Sequence, residues 1–160
     1  MKLSNKLNNS NIVVPLHSNN KHQVLEELLN HFISLNYLSS SEKLLFNLDK
    51  KQEAMSAASG RGISYHYSTS IEVDSMIAVL GISKNGINYN ATDGLLCNFI
   101  LLILEPVSKD KEHRNFINYF QDLITNLEVK EQLLEAKNSL DVENIIKNWE
   151  NNFFASDELL

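Results

Sequence analysis

The stretch IAVLGISKNGINYNATDGLLCNFILLILEP, residues 77–106, decides the fold of this chain. Its second half, CNFILLILEP, is a near-continuous apolar run closed by Pro106, without the polar alternation of a half-solvated strand. Such a run reads as a strand covered by helices on both faces, and it belongs at the centre of a sheet. The first half is apolar as far as Ile82 and then carries Asn85-Gly86 and Asp93-Gly94, which predict turns and a hairpin-rich middle.

Upstream, the period is that of a strand from Ile63 onward, and SIEVDSMIAVLGIS predicts a strand with a turn near residues 73–75. Before it, Val24, Leu25, Leu28, Leu29, Phe32 and Ile33 recur at helical spacing with Lys21, Glu26, Glu27 and Asn30 on the wet face. A second helix, with Leu44, Leu45 and Leu48 on one side, is expected to start at Ser39 or Ser40. Glu42 follows Ser39 by three residues, as in a capping box, and the helix should fade around residues 57–60. NIVVPL, residues 11–16, reads as a first strand that Pro15 confines to an edge or an end. Downstream, Phe116, Ile117, Phe120, Leu123, Ile124 and Leu127 mark a third amphipathic helix, and VKEQLLEAK and LDVENIIKNWENNFF read as helical too. This order predicts an α/β protein, a three-layer α/β/α domain with a mixed central sheet flanked by helices.

The chain has 160 residues, 43% hydrophobic and 21% charged, with two prolines and five glycines, which suits one domain able to bury its own core. We place that domain at residues 1–152 and a short C-terminal tail at 153–160, and in the closing segment NWENNFFASDELL the aromatic residues Trp149, Phe153 and Phe154 favour partial docking. Fourteen basic residues against twenty acidic ones give a net charge of −6, which argues against a nucleic-acid or anionic-membrane surface. Cys97 is the single cysteine, so a disulfide framework within the chain is excluded. MKLSNKLNNSN lacks the apolar core of a signal peptide, and the longest apolar run, residues 99–104, is too short to span a bilayer, so a soluble cytoplasmic protein is expected.

Catalytic motifs are scarce. GxxxxGK[ST], HExxH, GxSxG and GxGxxG are all absent, and no metal or cofactor is implied. Glu72/Asp74 and Asp141/Glu143 read as turn and helix-surface charges. Three of the five histidines, His17, His22 and His31, lie before or on the first helix among polar neighbours and read as surface or packing residues. His66 differs, because GRGISYHYSTS, residues 60–70, sets it after glycines that admit close approach of a ligand and before hydroxyls that can bond an anion. His113 opens the third helix in KDKEHRNF, near amide groups that favour anions.

Taken together, these segments resemble the enzyme IIA domains of the fructose, mannitol and nitrogen-regulatory type in the bacterial phosphotransferase system. LSNKLNNSNIVVPLHSNNKHQVLEELLNHF follows the family's opening, IAVLGISKNGINYNATDGLLCNFILLILEP follows its VALGxSxxGIDFxAxDGxPVxxIFLLLxP segment, and EHRNFINYFQDLI carries the second family histidine at His113. The family reads (V/I)-A-(I/L)-P-H-(A/G)-(R/K) around its acceptor. Here Ile63-Ser64-Tyr65-His66-Tyr67-Ser68 lacks the proline and the basic residue, and the loop between glycines and histidine is one residue shorter. A basic residue expected upstream of the loop falls on Lys50 or Lys51.

The resemblance implies that His66 accepts a phosphoryl group from phosphohistidine on an HPr-like carrier, with His113 beside it. Ser68, Thr69, nearby backbone N–H groups and Arg61 are candidates to stabilise the transferred charge. A neutral imidazole suits the task near pH 7, and a hydrogen bond to its other nitrogen fixes the tautomer. The length, without a fused IIB, IIC or HPr module, suits a regulatory protein of the nitrogen branch, whose phosphorylation changes which target proteins it binds. The alternatives are a sugar-specific enzyme IIA feeding a separate IIB protein, and a degenerate binding module that keeps the fold without phosphoryl transfer.

Overall fold

The structure, a computed structural model, describes residues 2–108 and 110–158. Its elements are β1 (Ile12–Val13), α1 (Lys21–Ser34), α2 (Glu42–Ala54), β2 (Ala58–Gly60), β3 (Ile63–Thr69), β4 (Ile77–Ile87), β5 (Cys97–Glu105), α3 (His113–Thr125), α4 (Leu127–Glu135) and α5 (Ser139–Glu158). The five strands form one sheet in the order β1-β4-β5-β3-β2. β1 runs parallel to β4 and β3 parallel to β5, whereas β4–β5 and β2–β3 are antiparallel. The sheet is therefore mixed, and the run that opened the sequence reading is its central strand.

Alternation along β5 explains why that run contains almost no polar residue. Phe99, Leu101 and Ile103 point to one side, where they meet Phe116, Phe120, Leu123 and Ile124 of α3, Leu133 of α4 and Val142, Ile146 and Trp149 of α5. Ile100, Leu102 and Leu104 point to the other, against Val24, Leu25, Leu28, Leu29 and Phe32 of α1 and Leu48 of α2. All six β5 side chains are fully buried, each burial contributing about 1.5–3 kcal/mol relative to exposure. This is the three-layer α/β/α arrangement.

Several local expectations are corrected. The first strand lies at the sheet edge, as Pro15 implied, but is only Ile12–Val13, and beyond Pro15 the Leu16 N–H donates to the Ile82 carbonyl at 2.9 Å. α1 takes its cap from Asn20, whose side-chain oxygen accepts from the Gln23 N–H at 2.9 Å. No capping box starts α2. Both the N–H and the hydroxyl of Ser39 donate to Glu72, so that serine staples the helix entry to the loop after β3 instead. α2 ends at Ala54, and residues 70–76 are loop and turn rather than strand. Asn85-Gly86 does not end a strand either. β4 runs through it to Ile87 and absorbs the pair as a register shift between Ile82 and Ile87, with Gly86 at φ +80°. At the C-terminus α5 continues through Glu158, and Phe153 stacks on Trp149 at 4.8 Å between ring centroids.

Candidate functional site

One residue of strand parity determines which side chains can meet. β3 lies parallel to β5 with His66 opposite Leu102, Tyr67 opposite Ile103 and Thr69 opposite Glu105. His66 and Ser68 therefore share the face of Leu102, toward α1 and α2. Tyr65, Tyr67 and Thr69 share the face of Ile103 and Glu105, toward α3.

On the α1/α2 face, His66 is 3% exposed. Its Nε2 lies 2.9 Å from the Tyr89 hydroxyl, with the two rings tilted at 46°. Burial pushes its pKa down from 6.5 to about 3, so the ring is neutral at physiological pH. Burial pushes the Tyr89 phenol up. Neither ring carries charge, and the pair serves as a satisfied polar contact within the core.

The α3 face carries a different arrangement. Glu105, the last residue of β5, is 1% exposed and turns its carboxylate onto the start of α3. Oε1 accepts from the His113 N–H at 2.8 Å and from His113 Nδ1 at 2.7 Å, and Oε2 accepts from the Glu112 N–H at 3.3 Å. A buried carboxylate is costly unless it is satisfied, and three donors meet that need while capping a helix start that favours negative charge. The Nδ1 bond fixes the His113 tautomer with its proton on Nδ1, leaving Nε2 as the basic nitrogen. Nε2 has no hydrogen-bond partner among the described residues, and the side chain is 19% exposed. Tyr67 stacks on the imidazole, with centroids 4.0 Å apart and planes at 25°. Stacking covers a ring face and leaves the edge that bears Nε2 uncovered. Burial, and then the charge of Glu105, raise the Tyr67 phenol pKa.

Lys51, near the end of α2, donates from Nζ to the Tyr67 carbonyl at 2.8 Å and lies 5.8 Å from the Tyr67 ring centroid. Of the two lysines the sequence offered, Lys51 reaches the site. Lys50 instead lies over Phe46 at 4.6 Å. A mainly apolar groove lined by Leu48, Lys51, Met55, Ala57, His66 and Tyr67 runs between α2 and β3, so the 3% of His66 that is exposed faces this groove and not His113.

His66 and His113 are thus on opposite faces of the sheet rather than in one depression, and the side chain stacked on His113 belongs to Tyr67. The one-residue shortening assumed between the glycines and His66 is not needed. Read without a gap, Gly62-Ile63-Ser64-Tyr65-His66-Tyr67 sets Tyr67 where the family pattern has its histidine and His66 where it has proline.

The other candidates separate as well. Ser68 is buried on the His66 face and donates to the Thr69 carbonyl at 3.3 Å, while Thr69 is exposed on the Tyr67 face. Arg61 lies at the far end of α3, where its guanidinium donates to Thr125 at 3.0 Å. Thr125 is twelve residues beyond His113, about 18 Å along the helix, so Arg61 cannot reach a group on His113. Gly60, Arg61 and Gly62 take φ of +90°, +60° and +78°, so the glycines serve the left-handed turn joining β2 to β3, not the approach of a ligand. His22 bridges Asp49 at 2.5 Å and His31 bonds the Ser10 carbonyl at 2.6 Å, both packing roles. Of the acidic pairs, Glu143 is buried rather than on the surface, accepting from the Asn9 N–H at 3.0 Å and pairing with Lys147 at 2.7 Å. Among the described residues no group of three or more His, Cys, Asp or Glu could hold a metal ion, and no helix is long and apolar enough to cross a membrane.

Sequence reasoning missed Glu105 and Tyr89. The signal for Glu105 was available: a glutamate ending a doubly buried strand must find donors, and His113 follows it by eight residues.

Comparison with known proteins gives a consistent picture. The family model "Phosphoenolpyruvate-dependent sugar phosphotransferase system, EIIA 2" matches residues 5–149. The PTS system fructose-specific EIIABC component of Bacillus subtilis (strain 168) is 22% identical over 146 residues, 91% of this chain but 23% of that protein's length. The fold is similar to nitrogen regulatory protein IIA-Ntr from Neisseria meningitidis, with TM-score 0.68, 16% identity, and 90% and 98% of the two chains covered. It is also similar to IIA mannitol from Escherichia coli, with TM-score 0.72, 14% identity, and 88% and 99% covered.

Proposed function

Because this chain belongs to the phosphoenolpyruvate-dependent sugar phosphotransferase system EIIA 2 family, we propose that it works as the IIA component of a phosphoryl relay. In this reading it meets an HPr-like phosphohistidine carrier at the surface where Tyr67 lies on His113, and the charge gained there alters which protein it binds next. The observation that carries the reading is the His113 imidazole, accessible at its edge, with its tautomer held by a buried carboxylate. Such a ring is prepared to meet a phosphoryl group without prior proton movement. Lys51 beside Tyr67 supplies a cation toward which the group's charge can be oriented. The buried His66 does not offer a carrier comparable access.

The test is transfer from phosphoenolpyruvate through enzyme I and HPr, read as the mass of the intact chain. An acid-labile gain of one phosphoryl group is expected. An unlabelled chain beside a fully charged HPr would refute the relay. A second reading is favoured by Tyr67 standing where the family pattern has its histidine: a module that binds relay proteins without accepting phosphate. Binding to HPr or a IIB protein that is indifferent to His113→Gln, in a chain that takes no label, would establish that reading instead. A separate IIB partner would mark sugar uptake, and another protein target would mark regulation.

A further inference from the structure

We propose that Nε2 of His113 is itself the phosphoryl acceptor, with Glu105 as the residue that positions it; the assignment rests on the relay reading above. Apart from the Ser68 and Thr69 hydroxyls, which are weak nucleophiles and would form phosphate esters that hold the group, three candidate acceptors lie on or beside the end of β3. His66 is 3% exposed and its Nε2 is engaged by Tyr89. The Tyr67 hydroxyl is a weak nucleophile while protonated, and an aryl phosphate ester would retain the group rather than pass it on. His113 alone combines an accessible imidazole edge, an Nε2 with no partner among the described residues, and an Nδ1 proton anchored at 2.7 Å.

The step balances without a further reactant. The donor's N–P bond breaks and its imidazole leaves neutral, keeping the proton on its other nitrogen. The lone pair of His113 Nε2 forms the new N–P bond. The ring then carries positive charge, and its Nδ1 proton stays in the hydrogen bond to Glu105, whose carboxylate balances that charge. No proton crosses to solvent, and reversal of the same movements delivers the group to the next partner. Tyr67, lying flat on the ring, restricts its rotation so that the Nε2 edge keeps one direction. In this chain a tyrosine brace and one imidazole thus do the work expected of two histidines.

The experiment labels the full chain through phosphoenolpyruvate, enzyme I and HPr and locates the phosphate by ¹⁵N-imidazole NMR. The wild type and His66→Gln are expected to carry it on Nε2 of His113, and His113→Gln to carry none. Glu105→Gln is expected to be labelled more slowly by about tenfold or more, because the tautomer is no longer held. Its unphosphorylated His113 resonances should show the changed tautomer balance, which loss of helix capping alone would not produce. Phosphate on His66, or label retained by a folded His113→Gln variant, overturns the assignment and leaves the relay reading standing. An unlabelled wild type beside charged HPr refutes the relay itself. Wild-type rate and tautomer in Glu105→Gln would remove Glu105 from the site.

Discussion

Lowering the pH from 7 to 5 should destabilise this protein through His66, and the size of the effect follows from its burial. The imidazole titrates near 6.5 in the unfolded chain and near 3 when folded. Between those values the unfolded state binds the extra proton and the folded state does not, so stability is fully present above about 6.5 and falls as the pH drops. Each pH unit within the window costs about 1.4 kcal/mol, giving a loss of about 2 kcal/mol at pH 5. With a urea m-value of about 2 kcal/mol/M, the unfolding midpoint should fall by about 1 M. His66→Gln keeps a polar partner for Tyr89 and removes the titration. Its midpoint should therefore move far less between the same two pH values, although it starts lower at pH 7. The other four histidines are common to both proteins, and carboxylates with ordinary values titrate mostly below this window. An equal midpoint shift in wild type and His66→Gln would show that the ring is not buried neutral, and would reopen His66 as a reactive group.

Three further outcomes follow from the packing. Tyr89→Phe removes the hydroxyl bonded to His66 Nε2 and should cost about 1–3 kcal/mol in urea unfolding, since it strands a buried polar nitrogen. Asn126 ends α3 and begins α4, its side-chain oxygen accepting from the Val129 N–H at 3.1 Å. Asn126→Ala should lower stability by about 1 kcal/mol at pH 7, and an unchanged midpoint would deny it a capping role. Gly86→Ala would add a Cβ 2.5 Å from the Leu96 Cβ at a φ of +80°. A loss of about 1–3 kcal/mol is expected, with thermal unfolding as the check, because both sterics and backbone conformation oppose it.

The architecture was legible because its largest signals are periodic. Burial from both sides leaves residues 99–104 no polar position, and the spacing of Phe116, Phe120, Leu123 and Ile124 fits a helical face. Local chemistry was harder to read. Ser39 had two acceptable partners, the α2 backbone and Glu72, and only the fold brings Glu72 within reach. The pairing of His66 with His113 turned on strand parity. A histidine in a strand does not declare which face it takes. The register puts Tyr67, not His66, on the face where His113 lies. Charge could have resolved the ambiguity: Glu105 occupies the Tyr67 face by its register opposite Thr69, and a buried carboxylate attracts an imidazole more strongly than it attracts Leu102.

Glu105 also fixes the mechanical reference of the site. The opening turn of a helix ordinarily frays, because its first amides lack partners. Here the opening amides of α3 are bolted to the strand that lies deepest in the sheet. The imidazole therefore moves with the core rather than with its own helix. α3 can bend or loosen toward Thr125 without changing the direction in which His113 presents Nε2, so a partner that tugs on the helix's far end leaves the aim of the ring undisturbed.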